Sequence, residues 1–215
     1  REEKMFNNAS NYANSVDSVM MLITVISAIL LFGVTFVMIY FVFRYSRKRN
    51  PVATQIHENL GLEIAFVVIP TILVMIMFWY GFVGFRKLRA ETDGAYEVKA
   101  YAFMWGWNFQ YENGKQSDTL YIPLSKITKV RLTSRDVVHS FFIPAFRLKE
   151  DVVAGKEHYV VLTPKEVGSY DIACAEYCGL NHSKMYTRLK VLKDDEFNQW
   201  LQGGIANNNS TNKQQ

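Results

Sequence analysis

Cys174 and Cys178 are the two cysteines of this 215-residue chain, and both lie in CAEYCGLNHSKM, residues 174–185. The same stretch carries Glu176, His182 and Met185. Thiolates and thioethers are soft donors that select copper, zinc or iron–sulfur, and imidazole suits zinc or copper. Three arrangements use these groups. A Cys174–Cys178 disulfide leaves His182 and Met185 without a role. A tetrahedral zinc site takes Cys174, Cys178, His182 and a fourth ligand, which His139 of VVHSFF can supply, and leaves Met185 idle. A copper site employs every soft group. Two thiolates four residues apart can bridge two copper ions, with His139 capping one and His182 the other. Met185 is then a weak ligand to one ion, and the backbone carbonyl of Glu176 a weak ligand to its neighbour. On the residues alone all three arrangements stay open.

Such a loop needs a scaffold. Residues 95–195 supply short runs rich in β-branched and aromatic residues: YEVKAYAFMW, NFQYE, TLYIPL, KVRLTS, VVHSFFI, HYVVLTP, GSYDIACA and MYTRLKVLK. Asn113-Gly114, Ala154-Gly155 and Val167-Gly168 separate several of them as turns. Strands at this spacing predict an all-β sandwich or Greek-key barrel of about 100 residues. A helix is predicted to follow, with Asp194, Asp195 and Glu196 favoured by its N-terminal dipole and Phe197, Trp200 and Leu201 as its apolar stripe. The tail GGIANNNSTNKQQ reads as disordered.

The N-terminal part differs in kind. Val19 to Phe43 and Ile64 to Phe85 are uncharged runs of 25 and 22 residues. At 1.5 Å per residue the first is about 37 Å long as a helix, enough to cross a hydrocarbon core of ~30 Å with tilt. Two membrane-spanning helices are expected. Arg44, Arg47, Lys48 and Arg49 between them favour a cytoplasmic connection and both termini outside, although Arg86, Lys87 and Arg89 also make the far end of the second helix basic. The expected organisation is an external segment 1–18, a transmembrane helical hairpin 19–90, a β domain with its C-terminal helix 91–202, and a tail 203–215. Residues 1–89 hold 9 basic and 5 acidic side chains, residues 90–215 hold 15 of each. The formal charge of +4 therefore sits beside the membrane and calls for no nucleic-acid partner.

With these elements in place, CAEYCGLNHSKM and Asp136-Val-Val-His139-Ser140 closely resemble the binuclear copper (CuA) loop and its upstream histidine in cytochrome c oxidase subunit II. The wording Ala-Glu-Tyr between the cysteines is similar to that of bacterial members. The resemblance covers nearly the whole chain and implies a two-helix hairpin followed by a cupredoxin-like Greek-key barrel. It implies two copper ions held by His139, Cys174, Glu176, Cys178, His182 and Met185, and a magnesium or manganese ion on the Glu176 side chain, shared with subunit I. It further implies a haem-bearing subunit I and a subunit III as partners and cytochrome c, or a cytochrome c domain, as donor. The setting implied is a bacterial inner membrane with the copper domain on its outer face. The chain has no C-x-x-C-H haem motif, so oxygen reduction is expected on another chain.

Other residues acquire readings from the same resemblance. Tyr101, Phe103, Trp105, Trp107, Phe109 and Tyr111 alternate, which on one continuous strand puts all six rings on one face. Gly106 is the position where a bulge can break that pattern. The residues alone make the rings core, whereas the resemblance makes Trp105 the point where electrons arrive. Departures from the family pattern are Gly106 for an aromatic residue, Gln110 for a glutamate, Phe66 for a tryptophan and Ala154-Gly155-Lys156 for Pro-Gly-Arg. Gly106 and Gln110 point to a less acidic docking face or a different donor, with Asp151 beside Glu150 as the acidic position, and Lys156 lacks the planar two-pronged donor that the family's arginine offers to subunit I. Glu63 suits a helix N-terminus on electrostatic grounds, and by resemblance it stands at the mouth of a proton-uptake channel. His57 and His158 are expected to be ordinary exposed residues.

Overall fold

The computed structural model describes residues 9–52, 59–90 and 93–203; His57 and the tail from residue 204 lie outside them. Two long helices open the chain, α1 (Ala13–Arg44) and α2 (Leu60–Ala90). Their described side chains are nearly all exposed or half-exposed, and the most apolar windows bury none of their residues within the chain. Apolar helices that do not cover each other's surface require a hydrocarbon surrounding. The α1 helix begins before Val19 because charge marks the hydrocarbon boundary rather than the helix limit. Its end is satisfied locally, with the Asn50 side chain donating to the Arg44 carbonyl at 2.7 Å and the Ser46 hydroxyl to that of Phe43 at 3.2 Å. Asn59 caps α2, its side-chain oxygen accepting the Leu62 N–H at 3.2 Å. Glu63 lies in the first turn of α2 and is exposed.

The remainder of the described chain is a β-sandwich. One sheet contains β1 (Tyr96–Phe103), β2 (Gly106–Tyr111), β3 (Gln116–Ser117), β5 (Thr128–Ser134) and β8 (His158–Leu162) in the order β3-β2-β1-β5-β8. The other contains β4 (Leu120–Pro123), β6 (His139–Ile143), β7 (Leu148–Val152), β9 (Gly168–Cys174) and β10 (Tyr186–Leu192) in the order β4-β10-β9-β6-β7. The expected architecture, two apolar helices and then an all-β domain, is present. Two pairings, β1 with β5 and β4 with β10, are parallel, so the sandwich needs crossovers as well as hairpins.

Inward residues of both sheets share one core. Val98, Ala100, Phe109, Val130 and Leu132 meet Ile122, Phe141, Ile172, Leu189 and Val191 there. The Trp107 and Phe141 rings cross between the sheets edge to face at 5.4 Å. Helix α3 (Asp194–Leu201) falls where the acidic N-terminal triplet placed it and buries Phe197 and Trp200. The aromatic run is interrupted at Gly106, by a reversal rather than a bulge. The chain turns at Met104-Trp105, and β2 pairs back on β1 with Phe103 opposite Gly106. Trp107, Phe109 and Tyr111 point into the core, whereas Tyr101 and Phe103 lie opposite Val98, Ala100 and Ala102 across β1 and remain half-exposed. A tight turn reverses direction and resets the period-two alternation, which a sequence pattern read straight through cannot register.

A second feature lies at the other end of the chain. The Ala9 N–H donates to the Ala145 carbonyl at 3.3 Å, and the Lys165 N–H to the Ala9 carbonyl at 2.9 Å. Ser10 bridges to Pro164 and its hydroxyl donates to the Phe146 carbonyl at 3.2 Å. The short segment ahead of α1 is thus stitched into the β domain.

Candidate metal centre

Two neighbouring strands of one sheet bring the donors together. His139 opens β6 and Cys174 ends β9, with Phe141 opposite Cys174 in the ladder. The chain then leaves the sheet, turns through a 3-10 segment at His182–Lys184 and returns as β10. Backbone bonds close this excursion. The Ala175 N–H donates to the Ser140 carbonyl at 3.2 Å, the His182 N–H to the Gly179 carbonyl at 3.1 Å, and the Cys174 N–H to the Met185 carbonyl at 3.1 Å. Met185 is therefore held beside the cysteine eleven residues upstream.

The two sulfurs lie 3.7 Å apart and both thiols are free. Cys174 Sγ is 3.9 Å from His139 Nδ1 and 3.2 Å from the Glu176 carbonyl oxygen. Cys178 Sγ is 3.6 Å from His182 Nδ1 and 3.8 Å from Met185 Sδ. His139 and Met185 are fully buried, the cysteines are buried, and His182 is half-exposed. His139, Cys174 and Cys178 place their donor atoms within 4.8 Å of one another, a grouping able to hold a metal ion. The nominated donors converge in this one pocket; Glu63 belongs to the other unit of the chain and stands outside the donor set.

The electrostatics suit a site in which a metal would be needed to ionise Cys178. Burial pushes the Cys178 thiol up to about 11, and Cys174 beside it adds to the shift. Asp136 lies behind His139. Burial opposes ionisation of its carboxyl, yet hydrogen bonds from His139 and from the Met104 and Val137 N–H groups hold it below the usual carboxylate range. Its Oδ1 is 2.8 Å from His139 Nε2, which leaves Nδ1 turned toward Cys174. An imidazole anchored by a carboxylate through one nitrogen and free to ligate through the other is the usual outer support of a metal-binding histidine. Sequence reading assigned Asp136 no role, although its position three residues before a nominated ligand was the available signal.

Trp105 sits against the same loop. Its indole N–H donates to the Cys178 carbonyl at 3.3 Å. A Cβ on Gly179 would lie 3.3 Å from Trp105 Cζ2, and Gly179 has φ +118°. Only glycine adopts that backbone freely while letting the ring so close. Glu176 faces two ways, its carbonyl toward Cys174 and its exposed carboxylate 3.9 Å from Lys149 Nζ. The acidic position read as Glu150 and Asp151 is already engaged. Glu150 forms a two-pronged pair with Arg89 at 2.9 and 3.0 Å, and Asp151 lies 3.7 Å from Lys149 Nζ. His158 is not an ordinary exposed residue: it is half-buried, with Nδ1 3.3 Å from Glu150 Oε1.

Comparison with known proteins agrees with this architecture. A family model described as the transmembrane domain of cytochrome c oxidase subunit II matches residues 3–83, and one for that subunit's periplasmic domain matches residues 114–192. Cytochrome c oxidase subunit 2 of Alkalihalophilus pseudofirmus is 30% identical over 205 residues, covering 91% of this chain and 58% of that protein. The Cereibacter sphaeroides subunit is 24% identical over 221 residues, covering 84% of this chain and 73% of that protein. The crystal structure of the periplasmic domain of subunit II (CoxB) of Bradyrhizobium japonicum aligns with 53% of this chain and 94% of its own at a TM-score of 0.49 and 26% identity. The chain thus spans a little over half the length of the first of these relatives. With both family models matched in order, the helical one over α1 and most of α2 and the periplasmic one over most of the sandwich, this chain belongs to the cytochrome c oxidase subunit II family and is a membrane protein with a periplasmic domain.

Proposed function

We propose that this chain receives electrons for a haem–copper terminal oxidase through a two-copper centre in its periplasmic domain. The observation that carries the reading is the donor set itself: two unbonded thiols 3.7 Å apart, each with an imidazole nitrogen beside it at 3.9 or 3.6 Å. Cys174, Cys178, His139 Nδ1 and His182 Nδ1 would hold the two ions. The Glu176 carbonyl and Met185 Sδ would be the weak outer donors. Copper bound there would supply a one-electron carrier. Softness favours it over zinc, because a thioether and a carbonyl suit weak outer positions on copper and are superfluous in a closed tetrahedral zinc site.

The chain's own residues do the rest. Asp136 fixes the tautomer of His139 and holds the ring against Cys174. Trp107 beside the His139 ring and Phe141 opposite Cys174 close the inner side of the donor set, while His182 on the outer side stays half-exposed, so the buried donors sit in a stiff pocket that changes shape little on charge transfer. Trp105 links the surface to the Cys178 carbonyl by a hydrogen bond, and we assign it as the point where electrons arrive from cytochrome c. The exposed carboxylate of Glu176 supports a magnesium or manganese site at the border with subunit I, while its carbonyl serves the copper side. Glu63, in the first turn of α2, is assigned to the mouth of a proton-uptake channel shared with subunit I. Subunit III and a bacterial inner membrane complete the proposed setting, in which the partner subunit reduces oxygen to water and pumps protons.

Trp105→Phe tests the route. With the copper-loaded chain, reduction by cytochrome c is expected to slow about tenfold or more relative to reduction by ascorbate. An unchanged ratio between the two reductants contradicts the assignment.

A further inference from the structure

The surface around Trp105 carries an unexpected charge. Arg135 is exposed, and its guanidinium lies over the Tyr101 ring at 4.8 Å and the Phe103 ring at 5.9 Å. The Arg135 backbone N–H donates to the Ala102 carbonyl at 2.9 Å. Among the described residues it has no carboxylate partner. Gly106 makes this seat possible: a Cβ there would lie 3.0 Å from Phe103 Cζ, so a bulkier residue would push away the ring beneath Arg135.

Around this cation the surface is apolar. Met104, Val137 and Val138 are 45%, 38% and 40% exposed. Asp136 ties the patch together, accepting the Met104 N–H at 2.7 Å on one oxygen and the Val137 N–H at 2.7 Å on the other. Its charge is spent inward on those groups and on His139. The acids that the sequence offered for donor docking, Glu150 and Asp151, are paired with Arg89 and Lys149. Apolar side chains and one seated cation therefore surround the tryptophan, while among the described residues the nearby acids have basic partners, Glu150 in Arg89 and both Asp151 and Glu176 in Lys149.

Resting on the electron-receiving reading above, we propose that this face docks a soluble redox protein whose contact rim is apolar and carries a carboxylate that pairs with Arg135. A strongly basic donor would meet Arg135 head-on, a like-charge contact that slows association. A guanidinium held flat on two rings loses little freedom on pairing with a carboxylate.

The test uses the full copper-loaded chain in detergent with two probes, an acidic c-type cytochrome and a strongly basic cytochrome c. Second-order reduction rates are read by stopped flow and divided by the rate with ascorbate. The acidic probe is expected to be the faster by about tenfold at low salt and to slow as salt rises. Arg135→Glu should cost it about tenfold and speed the basic probe, whereas Arg135→Lys should keep most of the wild-type preference. A preference for the basic probe, or rates indifferent to Arg135→Glu and Arg135→Gln, overturns the docking inference while leaving the electron-receiving reading in place. If ascorbate reduces the centre and neither cytochrome does, that reading fails and takes this inference with it.

Discussion

At the scale of single residues, Asp136 does more than the ligands reveal. It holds His139 through Nε2 and accepts the Met104 N–H from the turn that carries Trp105. Asp136→Ala is expected to weaken copper affinity about 10–100-fold, with Asp136→Asn intermediate, as measured by competition with a chelator. Cys178 provides a pH signature. Its thiol is raised in the folded metal-free chain from 9.0 to about 11. Its contribution to stability is therefore full below about pH 9 and lost as pH rises through about 11, because the unfolded chain gives up the proton first. The urea midpoint of the metal-free protein should fall across that window, and Cys178→Ser should flatten the fall. The donor set was legible in the sequence because soft ligands are scarce and were clustered. Asp136 and Arg135 were not, because their roles depend on the 134–138 loop lying against the turn between β1 and β2, a proximity that no local pattern encodes.

At the scale of elements, the decisive pieces are short. The loop between β9 and β10 works because Gly179 takes φ +118° beneath the Trp105 ring. Gly179→Ala is expected to cost about 1–3 kcal/mol in chemical denaturation and to displace the indole from the Cys178 carbonyl, detectable as a change in tryptophan fluorescence. Long or strongly patterned elements were readable in advance: both apolar helices, most strands, and α3 with its acidic first turn. The two-residue β3 and the charged LKEDV of β7 were missed. Edge strands carry little apolar alternation, since only one residue of β7 is buried. The aromatic run broke at Gly106 as expected, but as a full reversal into a hairpin rather than a bulge. Its alternation is strong on both sides of a reversal, and the turn that separates them is short.

At the scale of the molecule, the chain divides into two compact units, Ser15–Arg86 and the remainder. The membrane unit presents apolar surface, and the β unit presents a buried cluster of soft donors with one tryptophan leading to it. Residues 9–11, ahead of α1, bond to the β unit through Ala145, Thr163 and Lys165, a long-range pairing that sequence reading left as an external segment. The proposed role in respiration depends on what the paired thiols hold. The most direct measurement is the copper content of the loaded full chain taken together with its electron paramagnetic resonance spectrum. Two coppers per chain, with one unpaired electron spread over both nuclei, is the predicted result. One metal ion per chain, or a spectrum in which the spin couples to a single copper, would contradict it.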